Sequence, residues 1–133
     1  KPFIILISSF KDLERFGIEL SPSITNTLDQ LWPGPVTAVL PCSGESMEYL
    51  HRGLRSLAFR FPKKQELLSM IKETGPLVAP SANTEGMPPA KNIFQAREYF
   101  GETVDFYKNG GSVISEPSTI VKINQDGTIV KIR

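Results

Sequence analysis

The stretch Pro76–Asn83 (Pro-Leu-Val-Ala-Pro-Ser-Ala-Asn) carries the pattern that most clearly indicates the fold of this chain. Its apolar residues predict a short buried strand, which Pro80 ends just before the polar side chains of Ser81 and Asn83. Hydroxyl and amide groups at the carboxyl edge of a strand are typical of a small-ligand site in an α/β domain. Taken alone, the same residues also fit a turn or a helix cap, which are common uses of serine and asparagine.

Strand and helix patterns alternate on both sides of this stretch. Further strands are predicted over 3–7, 36–40, 57–62, 104–107, 117–123 and 129–132, with a hairpin turn at Asp126-Gly127. Helices are predicted over 11–16, 22–32, 63–74 and 92–100. Strands interleaved with helices, followed by a terminal hairpin, predict an α/β domain with a mixed sheet.

Three local expectations accompany this assignment. The continuous apolar run 3–7 is typical of a strand buried on both faces. Ser9 is placed to cap the first helix, and Ser21 with Pro22 to open the second. In the helix 92–100, the spacing of the apolar residues puts Phe94 on the inner face.

Composition narrows the classes of function. One cysteine, Cys42, and one histidine, His51, exclude an internal disulfide and a zinc cluster. A lone cysteine suits a reducing cytosol, so we expect a cytoplasmic protein, with Cys42 as a buried filler and His51 solvated in a loop. The net charge of +1 neither requires nor excludes nucleic acid. The apolar runs are too short to span a bilayer, and no membrane partner is expected.

The segments around Arg60 and Thr37 each allow two interpretations. Arg60 interrupts an apolar strand, so it either faces water at a sheet edge or holds an anion. Two prolines around a glycine make 32–37 a rigid bend, which is typical of a binding loop and equally of a plain connector before a strand threonine.

Common catalytic motifs are absent, because the chain has neither a phosphate-loop pattern, nor a dinucleotide fingerprint, nor a nucleophile elbow. What remains is a set of polar residues near predicted strand ends that suit phosphate and carboxylate groups. They are Arg60, Ser81, Asn83, Ser118, Thr119 and Arg133. This set is compatible with the displacement of pyrophosphate from a nucleotide, a reaction that needs mainly positioning and charge stabilisation.

Four segments, in order and spacing, resemble the YrdC-like family of threonylcarbamoyl-AMP synthases. They are Leu31–Thr37, Arg60–Pro62, Leu77–Asn83 and Pro117–Val121. The opening Lys1-Pro2-Phe3 is similar to the family's Lys-Pro-Leu, and the closing Ile132-Arg133 to the start of its Leu-Arg-x-Gly motif. The resemblance implies a twisted α/β fold with a mixed sheet, flanking helices and a large concave cavity.

The resemblance also implies a reaction. ATP, L-threonine and bicarbonate would be converted to threonylcarbamoyl-AMP and pyrophosphate, with Mg²⁺ accompanying the nucleotide. The adenylate would then serve a downstream transferase complex that modifies adenosine next to the anticodon of certain tRNAs. By motif matching, the residues expected to bind the nucleotide and threonylcarbamoyl group are Thr37, Arg60, Ala79, Ser81, Asn83, Ser118, Thr119 and Arg133. No general base is assigned.

One departure from the family limits this expectation. The family's Lys-x-Arg motif and an earlier threonine- and tyrosine-bearing segment are missing, so we expect residues 1–133 to be one YrdC-like domain that lacks an N-terminal part. Two other functions stay open. The first alternative to the synthase is a carbamoyl-transfer domain of a larger maturation enzyme. The second is a non-catalytic module that binds RNA through basic residues.

Overall fold

The computed structural model describes residues 3–112 and 116–133, and its core is a six-stranded mixed sheet. The strands are β1 (Ile4–Leu6), β2 (Val36–Pro41), β3 (Ser56–Arg60), β4 (Leu77–Ala79), β5 (Thr119–Ile123) and β6 (Ile129–Lys131). The α-helices are α1 (Lys11–Glu14), α2 (Pro22–Leu31), α3 (Glu48–His51), α4 (Gln65–Thr74) and α5 (Ile93–Phe100), with 3₁₀ helices at Glu45–Met47 and Gly101–Thr103.

The strand order is β4-β1-β3-β2-β5-β6. Strands β1 and β3 are parallel, as are β2 and β5, and the other neighbours are antiparallel. The predicted mixed α/β sheet with flanking helices is therefore confirmed. No helix in residues 3–112 or 116–133 combines the length and the apolar character needed to cross a membrane.

The chain divides into two compact units. The first comprises Lys1–Ala79 and Pro117–Arg133, and it holds all six strands. The second is Pro80–Glu116, which contains α5 and the 3₁₀ helix after it. None of the described residues of the second unit is buried, whereas the first unit has a continuous apolar core.

The core of the first unit lies between one face of the sheet and helices α1 and α2. Successive side chains of a strand point to opposite faces of the sheet. Those on the face that packs against the helices belong to the core, and they include Ala38, Leu40 and Phe59, which have no exposed surface. Leu13 of α1 and Leu28 of α2 join the same cluster. We call this side of the sheet the helix face and the opposite side the site face.

Helix α2 begins and ends as its sequence predicts. Ser21 Oγ accepts a hydrogen bond from Ile24 N at 3.2 Å, and Pro22 occupies the first turn. After the helix, the indole Nε1 of Trp32 donates to Val36 O at 2.8 Å. This bond ties the end of α2 to the start of β2 and so places Thr37, the next residue.

The predicted hairpin between β5 and β6 is confirmed, and it packs on the first turns of α2. Gly127 has φ +85°, and a Cβ there would lie 2.8 Å from the carbonyl oxygen of Ser23. Thr27 Oγ1 donates to Gly127 O at 2.8 Å, and Ser21 Oγ donates to Gln125 O at 3.3 Å. Only a glycine fits this close approach.

Two strand predictions were wrong in their burial. In β1, Ile5 is buried but Ile4 and Leu6 are only half-buried, so the strand is not covered on both faces. Strand β4 lies at the edge of the sheet, and Val78 is half exposed. Apolar runs fit a central strand and an edge strand equally well, and only the strand order separates the two.

Four further local predictions were wrong. Residues 104–107 form no strand, since a 3₁₀ helix at Gly101–Thr103 leads into irregular chain. Phe94 is 74% exposed. Ser9 caps no helix; instead the carboxylate of Asp12 accepts from Ser8 N at 3.0 Å. The fourth error concerns His51, which is buried rather than solvated.

The ring of His51 is used to hold its own loop. Nδ1 accepts from Gly53 N at 3.1 Å and from Arg55 N at 3.4 Å, while Nε2 lies 3.3 Å from Gly44 O. A buried imidazole needs such partners, and here the backbone of the loop supplies them. Cys42, by contrast, is buried as predicted.

Candidate functional site

Three of the predicted site residues lie on the site face of the sheet in the first unit. Thr37 of β2 is directly opposite Arg60 of β3. Ala79 of β4 pairs with Ile4 of β1, which pairs with Ala58 of β3, two residues before Arg60. Because side chains two residues apart share a face, Thr37, Arg60 and Ala79 are on the same side.

Thr37 and Ser118 are joined by a buried hydrogen bond. Their hydroxyl oxygens are 2.7 Å apart, and both residues are buried. The parallel pairing of β2 with β5 brings them together, since Val36 pairs with Thr119 and Thr119 N donates to Pro35 O at 3.0 Å. Two hydroxyls separated by 81 positions in sequence thus form one unit at this end of the sheet.

Arg133 completes this group, which we call the hydroxyl cluster (Thr37, Ser118 and Arg133). Its Nε and Nη2 donate to Ser118 O at 3.1 and 2.8 Å, and Nη2 lies 3.5 Å from Ser118 Oγ. The guanidinium has five N–H donors, so donors remain for a second acceptor. These two hydrogen bonds keep the positive charge of the Arg133 guanidinium beside the buried hydroxyls of Thr37 and Ser118.

Arg60 is positioned by the loop before β2. Its Nε donates to Gly34 O at 3.4 Å, and Gly34 N donates to Phe61 O at 3.0 Å. Phe61 and Trp32 have ring centroids 6.3 Å apart in the same region. The terminal nitrogens of Arg60 donate no hydrogen bond within residues 3–112 and 116–133, so the charged end is available to an anion.

Gly34 was not predicted as a functional residue, although its carbonyl orients Arg60. The available signal was the rigid Pro33-Gly34-Pro35 bend, which sequence reasoning could not separate from a connector. Thr119 was predicted at the site, yet its register places it on the helix face with Val121, and it is exposed. The structure does not bring the Thr119 side chain to the hydroxyl cluster.

Ser81 and Asn83 belong to the second unit. Ser81 O accepts from Asn83 N at 3.0 Å, and Asn83 Nδ2 donates to Thr84 O at 3.0 Å. Asn83 Oδ1 is buried and accepts no hydrogen bond within the described part of the chain. A buried amide oxygen without a donor is uncommon, and it marks a place where a ligand donor would be favourable.

A resident metal centre finds little support in the described ranges. No group of three or more His, Cys, Asp or Glu side chains that could hold a metal ion occurs within 3–112 and 116–133. The candidate residues are hydroxyls, an amide and arginines, which are phosphate and carboxylate binders.

Similarity to a known protein family extends over the whole chain. The family model described as "Telomere recombination", which takes in Sua5, YciO and YrdC proteins, matches residues 1–133. The threonylcarbamoyl-AMP synthase of Nitrosococcus oceani is 33% identical over 111 residues, which is 83% of this chain and 60% of that protein. The chain therefore spans about three fifths of the length of this curated relative.

Two solved structures have the same fold. Pyrococcus abyssi Sua5, crystallised with L-threonine, is 32% identical and covers 100% of this chain and 39% of its own, with a TM-score of 0.84. Full-length HypF, in a phosphate- and nucleotide-bound form, is 20% identical and covers 100% of this chain and 21% of its own, with a TM-score of 0.80. At that identity, the likeness to HypF shows the fold alone.

Proposed function

The chain belongs to the Sua5/YciO/YrdC family, and from that membership we propose that it supplies the threonylcarbamoyl-AMP synthase domain of its protein. The reaction joins L-threonine, bicarbonate and ATP into threonylcarbamoyl-AMP, pyrophosphate and water. The adenylate then passes to a cytoplasmic transferase complex that modifies tRNA. The domain itself is residues 1–133.

One observation carries the proposal: over its whole length, the chain is similar in structure to a Sua5 that was crystallised with L-threonine. At 32% identity over the whole chain, this likeness supports a shared reaction and not a shared fold alone.

The proposed chemistry has two steps. The amine of threonine attacks a bicarbonate-derived carbonyl carbon and forms a carbamate, with loss of water. A carbamate oxygen then attacks the α-phosphorus of ATP, and the bond to the bridging oxygen breaks so that pyrophosphate leaves. Both steps need positioned anions more than a strong base, and no general base is assigned.

The first unit contributes charge and fixed hydroxyls. Arg60, with its terminal nitrogens available, binds the carboxylate of threonine or a phosphate, and the opposite Thr37 and nearby Ala79 lie on the same sheet face. Arg133 stabilises the charge that develops on pyrophosphate, while Ser118 holds its guanidinium in place. Thr119 contributes through its backbone at the start of β5 rather than through its side chain.

The second unit contributes Ser81 and Asn83. The free Oδ1 of Asn83 accepts a hydrogen bond from the nucleotide or from the threonylcarbamoyl N–H, and the exposed hydroxyl of Ser81 offers a donor. Magnesium would arrive with the ATP substrate, where it would neutralise charge on the leaving pyrophosphate.

The experiment is pyrophosphate release by the purified chain, with ATP, L-threonine and bicarbonate all present and with each omitted in turn. We expect release that requires all three, and a decrease of about 100-fold in Asn83→Ala, the usual effect of removing one positioned hydrogen-bonding group. Asn109→Ala is the matched control, because Asn109 lies in the same unit and its Oδ1 already accepts from Gly111 N at 3.0 Å.

Calorimetry separates the other outcomes. Binding of ATP and threonine without release would retain the binding part of the proposal and overturn its catalytic part. The absence of both binding and release would overturn it. Release that needs a carbamoyl donor such as carbamoyl phosphate, and not threonine, would instead favour a carbamoyl-transfer domain.

A further inference from the structure

A polar cavity lies on the site face of the first unit, at the opposite end of β2 from Thr37. It has a volume of about 250 Å³. Its lining includes Val39, Pro41, Arg55, Ser56, Lys122 and Gln125. Thr37 and Pro41 are four residues apart, so this cavity is about 13 Å from the hydroxyl cluster at the rise of a β-strand.

Within the part of the chain that the structure describes, no acidic side chain lines this cavity beside its two cations, Arg55 and Lys122. Lys122 is flanked across the sheet by Val39 on β2 and Val130 on β6, where a carboxylate would be the usual partner. The described lining contains no Asp or Glu. The nearest acid along the chain, Asp126, directs its carboxylate to Thr128 N and Oγ1 at 3.0 and 2.6 Å. Two positive charges therefore share a cavity with no described counter-charge.

Arg55 is held at this cavity in a strained conformation. Its φ is +54°, a left-handed value that long side chains rarely adopt. The backbone is fixed from both sides, because Arg55 N donates to His51 Nδ1 at 3.4 Å and Arg55 O accepts from Cys42 N at 2.9 Å. His51 and Cys42 are both buried, so the core maintains the conformation that brings Arg55 to the cavity rim.

Neutral polar groups and apolar side chains also line the cavity. Ser56 supplies a hydroxyl and Gln125 an amide, both of which can donate to an anion. Val39 and Pro41 add apolar surface to the lining. These are the components of a site for a compact, multiply charged anion.

We propose that the cavity between Arg55 and Lys122, which we call the basic cavity, is an anion site that binds a phosphate group. It is separate from the hydroxyl cluster and does not depend on the proposed synthase activity. The phosphate has two possible sources, free inorganic phosphate or pyrophosphate on one hand and the 5′-phosphate of a nucleotide on the other. Both present the same oxygens to Arg55 and Lys122.

The test is a titration of the purified chain with inorganic pyrophosphate, followed by amide NMR shifts and by calorimetry. We expect the amides of 55–56 and 122–125 to shift, and the affinity to fall about tenfold in Lys122→Gln and in Arg55→Asn. Asparagine is chosen at position 55 because it tolerates a left-handed backbone. AMP and adenosine, titrated separately, distinguish the sources, since only a nucleotide site makes AMP bind more tightly than pyrophosphate.

Two control variants make the result decisive. Lys131→Gln removes an exposed lysine from the neighbouring strand on the helix face, so it should leave the affinity unchanged. Arg60→Gln removes the cation near the hydroxyl cluster and should leave the shifts at 122–125 in place. If Lys122→Gln and Arg55→Asn, folded by circular dichroism, bind pyrophosphate as the parent chain does, the proposal is overturned. Shifts confined to residues near Arg60 would overturn it equally.

Discussion

The hydroxyl cluster and the Ser81–Asn83 loop satisfy their polar atoms in opposite ways. In the cluster, the buried oxygens of Thr37 and Ser118 bond to each other, and Arg133 donates to the backbone beside them. In the loop, Asn83 Oδ1 is buried without a donor. The two hydroxyls of the cluster are paired without a ligand and contribute to folding, whereas the loop retains a buried acceptor with no described donor.

The largest stability effect is expected from breaking the cluster. Thr37→Val removes one hydroxyl and leaves Ser118 Oγ buried with only a long contact to Arg133 Nη2, so the free energy of unfolding should fall by about 1–3 kcal/mol. Urea unfolding measures this change.

Thr119→Val is the matched control, because Thr119 is exposed at the start of β5, and a change within about 0.5 kcal/mol is expected there. A double variant, Thr37→Val with Ser118→Ala, should recover part of the loss, since no buried hydroxyl is then unpaired. Equal effects of Thr37→Val and Thr119→Val would show that the buried bond contributes nothing.

A smaller effect is expected in the loop. Asn83→Ala removes an acceptor that has no described partner, so the free energy of unfolding should change by less than about 0.5 kcal/mol, whereas the proposed synthase activity should fall about 100-fold. Asn92→Ala is the comparison within the same unit, because Asn92 Oδ1 caps α5 by accepting from Gln95 N at 2.9 Å, and its loss should cost about 1 kcal/mol.

Thermal unfolding followed by far-UV circular dichroism measures both variants. A loss in Asn83→Ala as large as that in Asn92→Ala would mean that the Asn83 amide is already used in folding. The contrast between the loop and the cluster would then fail.

The smallest effect is expected at the β5–β6 turn, which is hydrogen-bonded like the cluster but exposed like the loop. Hydrogen bonds from the Thr128 hydroxyl and backbone N–H lower the pKa of Asp126. Because the folded-state pKa is depressed, this stabilisation is present above the unfolded-state pKa and is lost as the pH falls through the folded value.

Thr128→Val should raise the pKa of Asp126 toward its ordinary value, although not fully, because the backbone N–H remains. Carboxyl ¹³C NMR titration measures the shift, with Thr119→Val as the control that leaves it unchanged. An unaltered pKa in Thr128→Val would assign the effect to the backbone alone.

Prediction from sequence succeeded where a feature depends on neighbouring residues. Ser21-Pro22 begins α2 and Asp126-Gly127 turns the hairpin, because caps and turns are decided by the conformations of two or three residues. It failed at His51 and Phe94, whose burial depends on what packs against them. The edge position of β4 could not be predicted from the sequence either, since a short apolar run has the same pattern at the centre or at the edge of a sheet.

The candidate site divides in the same way. The sequence identified Arg60, Ser118 and Arg133 as polar residues near strand ends, and the family resemblance added Thr37, but neither showed which of these residues meet. Thr119 was included on the same grounds, and the register then placed its side chain on the other face. A shift of one residue in a strand reverses the face of every side chain, so strand ends alone cannot choose between Ser118 and Thr119.

By itself, the sequence determined the family, the alternation of strands and helices, and the polar residue types available for phosphate and carboxylate groups. Only the tertiary structure decided that Thr37 bonds to Ser118 across 81 positions, that Arg60 faces Thr37, and that Arg55 and Lys122 share a cavity. The physical reason is the sequence separation over which each effect acts. Backbone preferences depend on a few neighbouring residues, whereas contacts between distant strands depend on the order and register in which the whole sheet pairs.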